Sequence, residues 1–234
     1  GHRFIKMGFA KEVENRRRVF ASNLERAQFW IDSINSSRST SVQLVDAKEA
    51  SGLAAVYLTG ALDEYLKSLH PLCIEALLFG EYLPPRKMGA TIPVVAARLI
   101  VESTGKGQYR YGTDYTMARR EIFKATERKN FQGEEGIHSF LSEVGLPKFK
   151  KFSYWSPLHI SLDAAKGYLA TIESIANDRH LVVHRLGNRP SNYFIDDFSD
   201  EQLISPDVLS AFENIADAIK EELLCNASQN RMWD

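Results

Sequence analysis

The chain has 234 residues, 44% of them hydrophobic and 25% charged, with 29 basic against 30 acidic side chains. That balance is average for a globular protein and excludes collagen-like, low-complexity and wholly disordered chains, while the length admits one large domain or two small ones. Two cysteines, Cys73 and Cys225, are too few for a disulfide framework, and neither sits in a Cys-x-x-Cys or Cys/His array; a reducing compartment and no metal centre are expected. No apolar run approaches the roughly eighteen residues of a membrane span and no apolar signal region follows Gly1, so the expectation is a cytoplasmic protein without a membrane partner.

Phe20, Leu24, Ala27, Ile31 and Ile34 step by four and three, which predicts a helix from about residue 8 to 35, stopped by Asn35-Ser36-Ser37. Between Asp46 and Leu69 the residues Leu53, Val56, Tyr57, Leu58, Leu62, Tyr65, Leu66 and Leu69 cover most of a helical circumference, which places that helix at the centre of a bundle. Pro71 and Pro84-Pro85 punctuate the next stretch of chain. A short helix from about Ile92 to Val101 precedes Thr104-Gly105-Lys106-Gly107, whose spacing is not that of a phosphate-binding loop. Helices are expected over Asp114 to Lys129 and Glu134 to Val144, the second ended by Gly145 and Pro147. Leu158, Leu162, Ala165, Leu169, Ile172 and Ala176 then draw the longest stripe, on a helix expected to start near Pro157 and to end at Gly187 and Pro190. A last helix opens with Ser205 as N-cap and Pro206 at its first position, running through Leu209, Phe212, Ile215, Ile219 and Leu223. Nothing alternates like strand. The expected architecture is all-α, a single helical bundle with an up-down core and irregular loops. Residues 1–45 would form an N-terminal helical extension, 46–192 the core, and 193–234 an acidic C-terminal helix.

Charge is balanced in sum but not in place. Residues 193–234 carry ten acids against Lys220 and Arg231, which leaves the rest of the chain mildly basic. Seven bases (Lys106, Arg110, Arg119, Arg120, Lys124, Arg128, Lys129) fall between residues 106 and 131, and Lys148, Lys150 and Lys151 come soon after. Such a stretch serves a polyanion such as RNA if it gathers on one surface, and is otherwise a set of solvated helix faces. Trp30, Tyr154 and Trp155 fit core or interface aromatics.

Continuing the stripe past Ala176 lands on Arg179 and Val183, so a guanidinium occupies a place where an apolar side chain is expected. The segment reads Asn177-Asp178-Arg179-His180-Leu181-Val182-Val183-His184-Arg185. An arginine there can be a structural ion pair with Glu64 or Asp63. His180 and His184, four apart, share a helix face as metal ligands do, yet no Glu follows His180 and no third ligand is evident. Cleavage of RNA by its own 2'-hydroxyl needs a base for that hydroxyl, an acid for the departing 5'-oxygen and a fixed cation for the crowded phosphate. Imidazole titrates near neutrality and guanidinium forks onto phosphate oxygens, so these residue types suit the three tasks without a metal or other cofactor.

Arg179-x4-His184 near the end of a core helix resembles the signature of the HEPN domains (higher eukaryotes and prokaryotes nucleotide-binding), which is Arg, four to six residues, then His. The polar His180 after the arginine, the phrase Asp-Arg-His-Leu-Val-Val-His-Arg and the earlier helix reading Leu-Thr-Gly-Ala-Leu-Asp-Glu-Tyr-Leu-Lys are similar to the RNase-toxin branch of that family, over about residues 50 to 225. The resemblance implies a helical bundle that forms a homodimer, so that two copies of the motif make one metal-independent endoribonuclease site in a toxin or antiviral-defence role. Arg179 and His184 would inherit the catalytic places with His180 beside them; from charge and position, Asp178 or Glu64 would orient them or repel charge there, and Lys148, Lys150, Lys151 and Arg185 would meet RNA. An antitoxin or other regulatory protein is a further expected partner. The alternative is a catalytically silent HEPN-like module that binds a nucleotide or a protein.

Overall fold

A computed structural model describes residues 8–36, 41–105, 112–151, 160–186, 204–205 and 207–227. Among these residues there are seven α-helices and no strand: α1 (Phe9–Ser36), α2 (Ser41–Leu78), α3 (Val94–Gly105), α4 (Thr113–Glu127), α5 (Gly133–Glu143), α6 (Leu162–Leu186) and α7 (Val208–Cys225), with a 3-10 turn at Phe149–Lys151. The all-α class expected from the periodicities is the class observed.

α1 buries the whole expected stripe, with Phe9 and Val13 added ahead of it, along the flank of α2. The two helices are antiparallel, since Phe20 stacks on Tyr65 and Asn23 reaches Glu64. α2 is the axis of the molecule: α1, α4, α5, α6 and α7 all pack on it. It also runs longer than expected, because Pro71 lies inside the helix and does not end it. A proline there removes one backbone hydrogen bond at about 3 kcal/mol. Leu72, Cys73, Ile74 and Ala76 are all buried just beyond it, and their burial offsets that cost. The helix stops where Gly80 takes a φ of 69° and Ala76 O accepts the N–H groups of Glu81 and Tyr82.

α7 closes the bundle against α1, α2 and α6. Its Asp217 takes a two-pronged contact from Arg17 of α1, Nε to Oδ1 at 2.8 Å and Nη2 to Oδ2 at 3.1 Å, and Ala216 O accepts the Tyr65 hydroxyl at 3.3 Å. The helix starts at Val208 with Asp207 at its N-cap, later than the Ser205–Pro206 opening expected; the Ser205 hydroxyl accepts the Asp207 N–H at 3.4 Å, and Pro206 lies outside the described residues. α3 and α4 stand apart from the main core. They pack on each other, and Ala96, Ala118 and Ile122 meet Ile74 of α2 in a second, smaller cluster. α5 begins under a tight crossing: a Cβ on Gly136 would run into the Phe131 backbone, so only glycine lets the chain pass.

α6 begins at Leu162, later than the Pro157 start expected, and Pro157 and Leu158 lie outside the described residues. Ser161 is its cap, its hydroxyl accepting the Ala164 N–H at 3.1 Å. The buried stripe of α6 is Ala165, Leu169, Ile172, Ile175 and Val182, whereas Leu162 and Val183 are 41% exposed. The core-facing edge therefore turns from the 172/176/179/183 register to 172/175/182 in the last turns. No helix of the described residues is long and apolar enough to cross a membrane.

Candidate functional site

The motif occupies the last two turns of α6. Val182 fixes that end of the helix, because a Cβ built on Gly52 of α2 would stand 3.0 Å from its Cγ2. Glu173 fixes the middle: its Oε2 accepts the Glu134 N–H at 2.8 Å, at the start of α5. The Asp63 carboxylate of α2 in turn accepts the Phe131 N–H at 2.8 Å just before α5, so α6 runs antiparallel to α2. Arg179 then stands about one turn from the Gly52 level, past the start of α5.

In that place Arg179 is half-buried, beside the exposed Val183 and His180, and not in the core-facing register its sequence spacing suggests. The carboxylates considered as its structural partners are engaged elsewhere. Asp63 holds the Phe131 N–H and the Lys67 ammonium, the latter at 2.7 Å. Glu64 is exposed on the α1 side of α2 and accepts Asn23 Nδ2 at 3.3 Å. Asp178 is half-buried, and burial holds its carboxyl above the usual carboxylate range. The backbone of His184 and Arg185 is helical, but their side chains lie outside the described set. On an ideal helix Arg179 and His184 point about 140° apart while His180 and His184 are about 40° apart. Ideal helix geometry therefore aims the two motif positions apart, so that both meet one phosphate only if a long arginine bends round the helix.

The structure separates the basic residues. Phe149 is buried and anchors the 3-10 turn, so Lys148 and Lys151 are held outward on either side of it; the Lys150 side chain lies outside the described set. Of the earlier basic run, Lys106 and Arg110 lie outside the described residues. Arg119 pairs with Glu75 at 3.0 Å, Lys124 with Glu121 at 2.7 Å and Lys129 with Glu143 at 2.7 Å, so these three are tied into the fold's own ion pairs. Arg120 and Arg128 are exposed.

Two buried polar groups were not singled out from sequence. His70 on α2 is 1% exposed, with Nε2 at 2.6 Å from Glu143 Oε2 and Nδ1 at 3.0 Å from Thr126 Oγ1. Glu222 on α7 is also 1% exposed, and its Oε1 has no hydrogen-bond partner. Among the described residues no group of three or more His, Cys, Asp or Glu side chains is placed to hold a metal ion. In comparisons with protein-family models, curated proteins and solved structures, the chain matches none.

Proposed function

We propose that this protein is a metal-independent endoribonuclease of HEPN-like type, acting as a two-fold homodimer in a toxin or antiviral-defence role. The observation that carries the reading is the place of Arg179: a half-buried cation in the last turns of α6, beside the exposed His180, while Asp63 and Glu64 are engaged by other groups. A guanidinium held for stability alone would be expected in a buried pair with one of those carboxylates. The divergence of Arg179 and His184 around α6 favours a second copy, since a two-fold axis brings Arg179 of each α6 opposite the histidines of the other.

In the proposed reaction one imidazole takes the proton of the RNA 2'-hydroxyl, whose oxygen attacks the adjacent phosphorus. Arg179 neutralises the charge growing on the phosphoryl oxygens, and a second imidazole gives a proton to the departing 5'-oxygen. The products are a 2',3'-cyclic phosphate and a 5'-hydroxyl, with no net change in oxidation state or proton count. Lys148, Lys150, Lys151 and Arg185 would track the RNA backbone, and an antitoxin or other regulatory protein would control access. Replacement of Arg179 or of His184 by alanine is predicted to lower cleavage by a factor on the order of a hundred or more while circular dichroism and melting temperature stay near wild type. A loss of fold in step with activity would assign Arg179 a structural role. A module without chemistry would show no cleavage in the wild type and would keep its partner when either residue is replaced.

A further inference from the structure

His70 ties three parts of the fold together at one buried point. Its Nε2 meets Glu143 of α5 at 2.6 Å, its Nδ1 meets the Thr126 hydroxyl of α4 at 3.0 Å, and the Phe131 ring lies 5.7 Å away, centroid to centroid. Glu143 Oε2 also takes Lys129 at 2.7 Å, and Oε1 faces the Ser139 hydroxyl at 3.5 Å. The other charges on this part of α2 are Asp63, paired with Lys67, Glu75, paired with Arg119, and Glu64, which is exposed on the α1 side and accepts Asn23 Nδ2. Among the described residues α4 is also held by apolar, ring and ion-pair contacts. Ile74 meets Ala118 and Ile122, Phe79 meets Tyr115 edge-on at 5.3 Å, and the Glu75 pair uses an arginine that is 49% exposed. α3 packs on α4 through Ala96, Leu99 and Ile100, while its Val94, Val95 and Val101 face out.

Hydrogen-bond accounting gives two possible states of the point. A carboxylate cannot donate, so Nε2 carries a proton toward Glu143 in both. With a neutral ring, Nδ1 accepts and the Thr126 hydroxyl donates to it. With a protonated ring, Nδ1 donates and the hydroxyl turns to Ile122 O, 3.1 Å away. Every group is satisfied in either state, but charge is not. Lys129 and Glu143 already cancel, so a proton on His70 leaves one uncompensated positive charge in a dry site.

We propose that His70 is a proton-sensitive latch for the α3–α4 hairpin, so that protonation of its ring loosens α4 from α2. Burial, which lowers the affinity of His70 for a proton below that of an ordinary imidazole, outweighs Glu143, which raises it, and Lys129 adds to the lowering. A ring exposed by opening regains the ordinary affinity. Acid therefore favours the open hairpin, and the stability that the closed latch contributes is present above the ordinary imidazole range and lost as pH falls through it.

The test is amide hydrogen exchange on the whole chain at about pH 7.5 and about pH 5.5, either side of the ordinary imidazole value, with α4 peptides normalised to α1 peptides at the same pH. The normalised α4 exchange is expected to rise several-fold on acidification in wild type and to stay flat in His70→Gln, which keeps a donor for Glu143 and cannot titrate. An unchanged ratio in wild type, or an equal rise in the variant, overturns the latch. A measurement that needs no variant is the NMR titration of the His70 ring. Its midpoint is expected below that of an ordinary imidazole and in step with α4 opening, and a midpoint at or above the ordinary value overturns the proposal.

Discussion

Glu222 on α7 is a buried carboxylate whose Oε1 has no hydrogen-bond partner among the described residues. Burial pushes its carboxyl from the ordinary 4.5 up to about 7. The folded chain therefore keeps a proton that the unfolded chain gives up between these values. The stability this group contributes is fully present below about pH 4.5 and is lost as pH rises through about 7. Glu222→Gln removes the titration and keeps the shape. It is predicted to melt near wild type at pH 5 and to be more stable at pH 8, by on the order of 2–3 kcal/mol in urea unfolding; an equal shift at both pH values would contradict the assignment. The signal for Glu222 was present in the sequence: Ile215, Ala218 and Ile219 precede it at spacings of seven, four and three, on one helix face. An acidic tail that looks solvated by composition hides one carboxylate whose register is apolar. Arg179 is the converse case, placed by spacing among apolar positions and found half-exposed.

Among the elements, α6 decides where the motif goes, and its contact with α2 is close enough to test. A Cβ on Gly52 would sit 3.0 Å from Val182 Cγ2, tight enough that the valine must give by a few tenths of an ångström. Gly52→Ala gains about 1 kcal/mol of helix propensity and loses part of it to that contact, so its net effect is predicted to be small. Gly52→Leu overfills the contact and is predicted to cost about 1–3 kcal/mol. Combining it with Val182→Ala should recover most of the loss, and urea unfolding that shows the two changes simply adding would contradict the packing described. The existence of each helix was legible from spacing, but two features were not. Pro71 reads locally as a stop, and only the burial of Leu72, Cys73 and Ile74 on both sides of an axial helix explains why α2 continues. The stripe of α6 turns toward Val182, which packs on Gly52 of α2, and no feature of α6 alone announces where that neighbour sits.

At the scale of the molecule, one core joins α1, α2, α5, α6 and α7, and the α3–α4 hairpin hangs from α2 beside it. The pairing that builds this core rests on contacts far apart in the chain. Arg17 with Asp217, Ser51 accepting the Ile204 N–H at 3.0 Å, and Asp63 capping the Phe131 N–H all bring together residues that no local pattern connects. The bundle class was therefore legible while the neighbours of each helix were not, and the same holds for the site: the motif was visible in sequence, its surroundings only in three dimensions. Those surroundings leave Arg179 half-buried in the last turns of α6 and engage three bases of the early run (Arg119, Lys124 and Lys129) in the fold's own ion pairs, while Arg120 and Arg128 stay exposed. The most direct test is incubation of the purified chain with total cellular RNA in EDTA, and then mapping of the new ends. The account predicts 5'-hydroxyl and 2',3'-cyclic phosphate ends that disappear in Arg179→Ala. Cleavage that leaves 5'-phosphates, or that EDTA abolishes, or no cleavage at all by wild type, would contradict it.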